Sequence, residues 1–219
     1  MSRLRTLLAA VFAVALLAGC SSDEQSDKAS ADQPPAQELL KQSAAAMTEV
    51  SSVAFALTTD GTPDIPIKAM NGDLLRSGDA RGSVTATQLG VTVEVKFILL
   101  GEELYYNISG GYAKTDKSAI TSYLDPSAIL DPKRGIPVLL GQAKDATTDG
   151  VEDGSVKVNA TLPADAVSAV GVKVTADLKG SVWIDESTHR LTKVWMELPG
   201  GSATLALSDY NANPEIKAP

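Results

Sequence analysis

The sequence holds a single cysteine, Cys20, and a single histidine, His189. One cysteine excludes a disulfide within the chain. One cysteine and one histidine also leave no Cys/His set for a zinc site and no Cys–His pair for nucleophilic catalysis. His189 stands in the polar stretch Asp185-Glu186-Ser187-Thr188-His189-Arg190, a hairpin turn by composition, where an exposed turn residue is its ordinary role. There is no Gly-x-Ser-x-Gly elbow, no phosphate-binding loop and no glycine-rich dinucleotide loop, and the acidic residues are scattered over polar strand positions. These absences point away from an enzyme, and no metal or other cofactor is called for.

Positive charge is scarce too. Nineteen Lys and Arg face 27 Asp and Glu, a formal charge of −8, and no basic cluster occurs. Nucleic acid, whose phosphates need a positive surface, is therefore set aside as a partner. Aromatics make up only 5% of the chain, so any core must be filled by Val, Ala, Leu and Ile. No apolar run reaches the roughly 20 residues that a membrane-spanning helix requires.

The longest apolar run, Thr6 to Ala18, follows Arg3 and Arg5 and ends in Leu17-Ala18-Gly19-Cys20. A charged start, a short apolar stretch and a small-residue site are the parts of an export signal, so residues 1–19 read as a signal peptide. The closing tetrapeptide resembles the lipobox of bacterial lipoproteins. Its cysteine is the soft nucleophile that takes up a diacylglyceryl group, which assigns lipidation to Cys20. Two or three acyl chains anchor a protein stably where one does not, so the expected location is the outer face of the cell membrane, facing the periplasm-like space or cell wall. Residues 21–35, from Ser21-Ser22-Asp23-Glu24 to Pro34-Pro35, offer almost nothing to bury and read as a disordered tether with a root-mean-square span of roughly 20 Å.

The rest, 36–219, is enough for one domain. Leu39, Leu40, Ser43, Ala46, Met47 and Val50 recur at helical spacing behind Pro35, which predicts an amphipathic helix. Beyond it the period falls to two. Val53, Phe55 and Leu57 alternate with small or polar residues, Val84 and Ala86 repeat the pattern, and Val91, Val93, Val95, Phe97 and Leu99 face away from Thr92, Glu94 and Lys96. Gly101-Glu102-Glu103 turns into Leu104-Tyr105-Tyr106-Asn107-Ile108, and Gly110-Gly111 turns the chain again. Between residues 117 and 143, Asp125-Pro126 and Asp131-Pro132 each set a capping residue before a proline, predicting short apolar helices that need a partner surface. Strands are expected again over 151–162, 172–185, 189–198 and 202–210, with a short helix near Pro163. Nine or ten antiparallel strands with few helices make an α+β fold, helices on one sheet face. Helices that bridge a sheet of small side chains either pack it solid or leave an apolar cavity, and composition leaves both open.

The chain resembles the actinobacterial LppX/LprA/LprF/LprG lipoprotein family over essentially residues 1–215. The matching stretches are the lipobox ending in Cys20, Phe97 to Tyr106, Tyr123 to Pro132 with Gly135-Ile136, Val182-Trp183-Ile184-Asp185, and Leu207-Ser208-Asp209-Tyr210. The resemblance implies a strongly bent antiparallel sheet, a half-barrel, with helices on its concave face enclosing an apolar cavity. It implies a carrier of multi-acylated lipids (triacylglycerol, phosphatidylinositol mannoside or lipoglycan) between membranes, its entrance set by the segment around 117–141, with a multi-span membrane transporter as a further partner. The short loop at Gly110-Gly111 and the lack of a longer proline-rich insertion after Val170 depart from the family and bear on cavity size. By strand parity the residues expected to line the cavity are Phe55, Leu57, Val84, Ala86, Val93, Val95, Phe97, Leu104 and Tyr106, with Ile129, Leu130, Val138 and Leu139 from the short helices. The alternative is a structural or interaction lipoprotein with a filled core, partnering an envelope transporter or enzyme.

Overall fold

A computed structural model describes residues 34–219 apart from 64–66, 89, 122–125, 171 and 173. The expected signal peptide, Cys20 and most of the tether therefore lie outside the described residues.

Helix α1 (Ala36–Thr48) begins on Pro35, whose carbonyl accepts hydrogen bonds from the N–H groups of Glu38 and Leu39 at 2.8 and 3.0 Å. Its apolar stripe of Ala36, Leu39, Leu40 and Met47 is buried together with Ser43. At the other end the Arg76 guanidinium donates to the carbonyl of Val50 at 2.8 Å and to that of Thr48, satisfying acceptors that no later turn of helix would take. No described helix is long and apolar enough to cross a membrane.

The chain then runs through β1 (Ser52–Gly61), β2 (Ile67–Leu75), β3 (Ala80–Gln88), β4 (Val91–Leu100), β5 (Glu103–Asn107) and β6 (Ala113–Asp116). Three short helices follow, α2 (Ser118–Thr121), α3 (Pro126–Ile129) and α4 (Ile136–Gln142), and then β7 (Lys144–Glu152), β8 (Ser155–Leu162) and α5 (Ala164–Ala169). The chain finishes on β9 (Leu178–Asp185), β10 (Leu191–Leu198) and β11 (Gly201–Ser208). All eleven strands join one antiparallel sheet in the order β6-β5-β4-β3-β2-β1-β11-β10-β9-β8-β7. The first hairpin series thus runs outward from β1 on one side and the last runs back to pair β11 with β1, so the two chain halves meet at mid-sheet. Edge strands β6 and β7 do not pair with each other, so the sheet is an open half-barrel. β6 is only four residues long and β7 is charged and bulged, both of which blunt an edge against further pairing.

The direction of the bend is written at two glycines. Gly72 on β2 and Gly82 on β3 are register partners, and on each a Cβ would lie 1.9 Å from a carbonyl oxygen of the facing strand, Arg81 or Asn71. That Cβ would point to the side shared by Phe55 and Phe97, so β2 and β3 are creased toward the apolar side. Helices α1, α3, α4 and α5 contribute Leu40, Ala128, Leu140 and Val167 to the buried interior. α1 packs on α4 and β7, and α4 on α5 and β8, so helical cover is concentrated at the β7–β8 side.

The expected α+β half-barrel is the observed one, but several boundaries are corrected. The strand expected over 151–162 is two strands, broken by Asp153-Gly154, both at positive φ (49° and 74°), which is the sequence of a tight two-residue hairpin. Asp131-Pro132 does not start a helix. The Asp131 carboxylate accepts from the Lys133 N–H and the Arg134 guanidinium at 2.8 and 2.9 Å, closing a turn, and α4 begins only at Ile136 with a proline in its first turn. The strand expected from 172 is confined to 178–185, because the Val172 N–H donates back to Val167 and finishes α5. β2, β6 and the first half of β7 were not anticipated.

Two tests follow from this architecture. Gly82→Ala forces a methyl into backbone and is expected to cost about 3 kcal/mol or more, whereas Gly141→Ala, at an exposed position near the end of the mostly buried α4 with open space around it, should gain up to about 0.5 kcal/mol. Urea unfolding of both variants checks the contrast. In the β9–β10 turn, one Asp185 carboxylate oxygen accepts from Ser187 N and Oγ and from Thr188 N and Oγ1 at 2.7–3.1 Å. Hydrogen bonding led by the Ser187 hydroxyl lowers its pKa from 3.8 to about 2. A depressed carboxylate pKa stabilises the fold above the unfolded value and loses that contribution as pH falls through the folded one, so the effect belongs to the interval from about 4 down to 2. Solvent screening reduces it to about 1 kcal/mol, and the stability gap between the wild type and Asp185→Asn, read by unfolding at a series of pH values, should close over that interval.

Candidate functional site

Cross-strand register sorts the side chains into two faces. The deepest row on the concave face joins Val53, Leu74, Ala80, Leu99 and Leu104, every one of them buried. The next row joins Leu207, Phe55, Gly72, Gly82, Phe97 and Tyr106. The third joins Leu205, Leu57, Met70, Val84 and Val95, and beyond it stand Ile67, Ala86 and Val93. Parity reasoning therefore placed Phe55, Leu57, Val84, Ala86, Val93, Val95, Phe97, Leu104 and Tyr106 on one common face.

Packing along that face is graded. On β4 the exposed fraction rises from 0% at Leu99 through 9% at Phe97 to 38% at Val93 and 61% at Val91, while Val95 is half-buried. Phe55, Leu57, Ile67, Val84, Ala86, Tyr106 and Leu205 are likewise half-buried. The concave face is thus sealed at one end and accessible toward the β3–β4 hairpin, forming an apolar trough. No Asp, Glu, Lys or Arg stands in its rows on β1, β3, β4, β5 or β8 to β11. Apolar surface left in water costs about 25 cal/mol per Å2, so an ordered run of accessible Val and Phe where Thr would suffice marks a surface meant to be covered.

The remaining expected residues divide. Ile129 on α3 and Val138 on α4 are half-buried and belong at the margin of the apolar interior. Leu130 and Leu139 are closed into the core, as is Leu104 in the deepest row of the sheet, so these three do not line the accessible part of the trough. Ile67, Met70 and Leu205 were missed. Leu205 could have been found from the Ala203-Leu205-Leu207 alternation, but Ile67 and Met70 precede Asn71-Gly72, a pair that reads as a hairpin turn and here lies mid-strand.

The ion pairs between strands, among the described residues, stand on the opposite, convex face. Lys157 and Asp149 form an ion pair at 2.7 Å, and hydrogen bonding to Lys157 holds the Asp149 carboxyl below the usual range. Glu103 binds Lys114 and the Tyr105 hydroxyl, which lowers the carboxyl and raises the ammonium. Two hollows, of about 330 and 450 Å3, are lined mainly from this face, the first around Trp195 and the second around Glu94, Lys96 and Asn107. No group of three or more metal-ligating side chains occurs among the described residues.

The family model of the LppX_LprAFG lipoproteins matches residues 35–216. Among individual proteins, the lipoarabinomannan carrier protein LprG of Mycolicibacterium hassiacum is 35% identical, with 100% of this chain and 98% of the relative covered. The protein of the same name from Mycolicibacterium smegmatis is 33% identical over 94% of this chain and 92% of the relative. In structure the chain is similar to LprF from Mycobacterium bovis (TM-score 0.76, 21% identity, 85% of this chain and 99% of that one). It is also similar to LppX from Mycobacterium tuberculosis (TM-score 0.63, 21% identity, 83% and 97%). These two likenesses concern the fold alone, and they fall on the same open antiparallel sheet. A family match over most of the chain, with full-length relatives above 30% identity, establishes that this protein belongs to the LppX_LprAFG lipoprotein family.

Proposed function

We propose that the concave trough holds the acyl chains of a multi-acylated lipid and that the protein carries such a lipid between membranes while tethered through an acylated Cys20. The observation that carries this reading is the graded exposure of β4 on an uncharged face. Each acyl methylene removed from water contributes about 0.8 kcal/mol, so a lipid with dozens of them does not cross an aqueous gap unaided. An apolar trough replaces the bilayer interior at similar free energy, and exchange becomes nearly neutral, which repeated loading and release require. The mycobacterial relatives named as lipoarabinomannan carriers support a lipid or glycolipid cargo, and the proposed class extends to triacylglycerol and phosphatidylinositol mannosides.

The graded face supports entry at the β3–β4 hairpin rather than at the 117–141 segment that the family resemblance implies. Chains would slide in past Val91 and Val93 and stop where Leu99 and Leu104 close the floor. A signal peptide ending at Gly19 and a tether through Pro35 would keep that mouth within reach of the membrane's outer face. The protein would perform no covalent chemistry, and a multi-span transporter would be a natural recipient or donor.

Native mass spectrometry of the purified mature protein, before and after organic extraction, tests the proposal. Close to one extractable multi-acylated lipid per protein is expected, over and above the covalent anchor. Val93→Asp, placing a charge in the trough, should reduce lipid occupancy by about tenfold or more, while Thr92→Asp on the convex side of the same strand should leave it unchanged. A protein that is empty and takes up no labelled lipid would instead favour the filled-core partner role.

A further inference from the structure

We propose a second ligand site on the convex face of the sheet, a hollow of about 330 Å3 around Trp195 that takes a pyranose ring of a saccharide. The inference is independent of what fills the trough, because the two lie on opposite sides of one layer of strands.

The two tryptophans of the chain stand on neighbouring strands and both face outward, yet their surroundings differ. Trp183 on β9 is saturated. Its ring is buried, its indole N–H donates to Glu152 at 2.7 Å, and the ammonium groups of Lys193 and Lys157 lie 3.7 and 5.6 Å from its ring centroid. Trp195 on β10 is only half-buried and has Ser181 and Thr204 as cross-strand partners, side chains too short to cover an indole. Among the described residues its N–H makes no hydrogen bond and no cation sits over its ring.

The groups around Trp195 are of both charges and rich in hydrogen-bonding capacity. Asp145, Asn159, Thr161, Lys179, Ser181 and Glu197 supply the polar part of the lining, with Ala160 and Gly180 between them. Part of this ring is held in place: Ser181 Oγ donates to Asn159 Oδ1 at 2.7 Å, Asn159 Nδ2 donates to Asp149 at 3.2 Å, and Thr161 Oγ1 donates to Asp145 at 3.2 Å. Lys179 and Glu197 make no hydrogen bond or ion pair among the described residues, so one strong donor and one strong acceptor remain available beside the open ring.

This combination selects a ligand class. An anion would meet Asp145 and Glu197, and a quaternary ammonium would meet Lys179. An acyl chain would cover the indole but strand the polar groups without partners, which costs free energy for each group. A neutral pyranoside suits all of them at once, because its C–H face stacks on the indole while its ring hydroxyls bond to carboxylate, ammonium and hydroxyl groups at the edge.

The test is saturation-transfer NMR on the full acylated protein in micelles of a zwitterionic, sugar-free detergent. The probes are methyl α-D-mannopyranoside, methyl β-D-glucopyranoside and methyl α-D-galactopyranoside, with tetramethylammonium and acetate as counter-probes. At least one pyranoside should receive saturation at its ring protons and bind with a millimolar Kd. Trp195→Ala should weaken that binding about tenfold or more, Glu197→Gln about threefold or more, and Thr92→Asp, on the same face of distant β4, not at all. The site is overturned if none of the three sugars receives saturation at tens of millimolar, if Trp195→Ala leaves the transfer undiminished, or if tetramethylammonium or acetate displaces the sugars and binds more tightly than they do.

Discussion

Everything in this molecule depends on the sheet being bent toward its apolar side. A flat eleven-stranded sheet with Val, Leu and Phe on one face would expose that face along its whole length and invite association. Curling reduces the exposure, but the strands can approach on the inner side only where no Cβ intervenes. Gly72 and Gly82 provide that place in the middle of the β1–β4 half. Gly61 and Gly201 form a second close approach at the far end of the β1–β11 pair, where a Cβ on Gly201 would lie 2.0 Å from the Asp60 carbonyl. These glycines keep weakly strand-forming residues inside strands and give the apolar face an inside.

The helices then decide how much of that inside is filled. Because α1 and α4 pack together and against the β7–β8 side, they seal the rows around Leu40, Met47, Leu140 and Val158 and leave the rows toward Val93 accessible. Both possibilities left open by composition are therefore realised in different parts of one interior. One end has a packed core and the other an uncovered wall, and the boundary runs through Phe97 and Phe55, two of the three phenylalanines in the chain. Large rings at the transition support the wall where small side chains could not.

The amphipathic helix, the strand from Val91 to Leu99 and the common face of nine expected lining residues were legible because each rests on a single periodicity sustained over many residues. What escaped notice did so for definable reasons. β2 carries Asn71-Gly72-Asp73, turn chemistry used here for a crease, and local composition does not reveal that a neighbouring strand bears a matching glycine. β7 is polar on both sides because it is an edge strand with bulges, so it shows no alternation. The closure of Leu130 and Leu139 into the core depends on where α3 and α4 dock, a tertiary fact without a local signature. Trp195 could have been noticed as a tryptophan on the polar side of its strand, but its open ring depends on Ser181 and Thr204 across the register, which the linear sequence does not show.

The separation of the two faces has a functional logic of its own. A carrier must hold its cargo without specific, tight contacts to the acyl chains, since every polar fixture inside the trough would need desolvating at each exchange and would slow release. Selectivity, if the cargo is to be chosen by its headgroup, has to reside where water remains and hydrogen bonds can be traded at little cost. The ion pairs between strands of the described sheet lie on the convex face, and the concave rows on β1, β3 to β5 and β8 to β11 are uncharged. On the proposed reading, an apolar inside would take acyl chains only as a class while a polar outside would discriminate, a division that a single bent sheet with a period of two produces with no further elements.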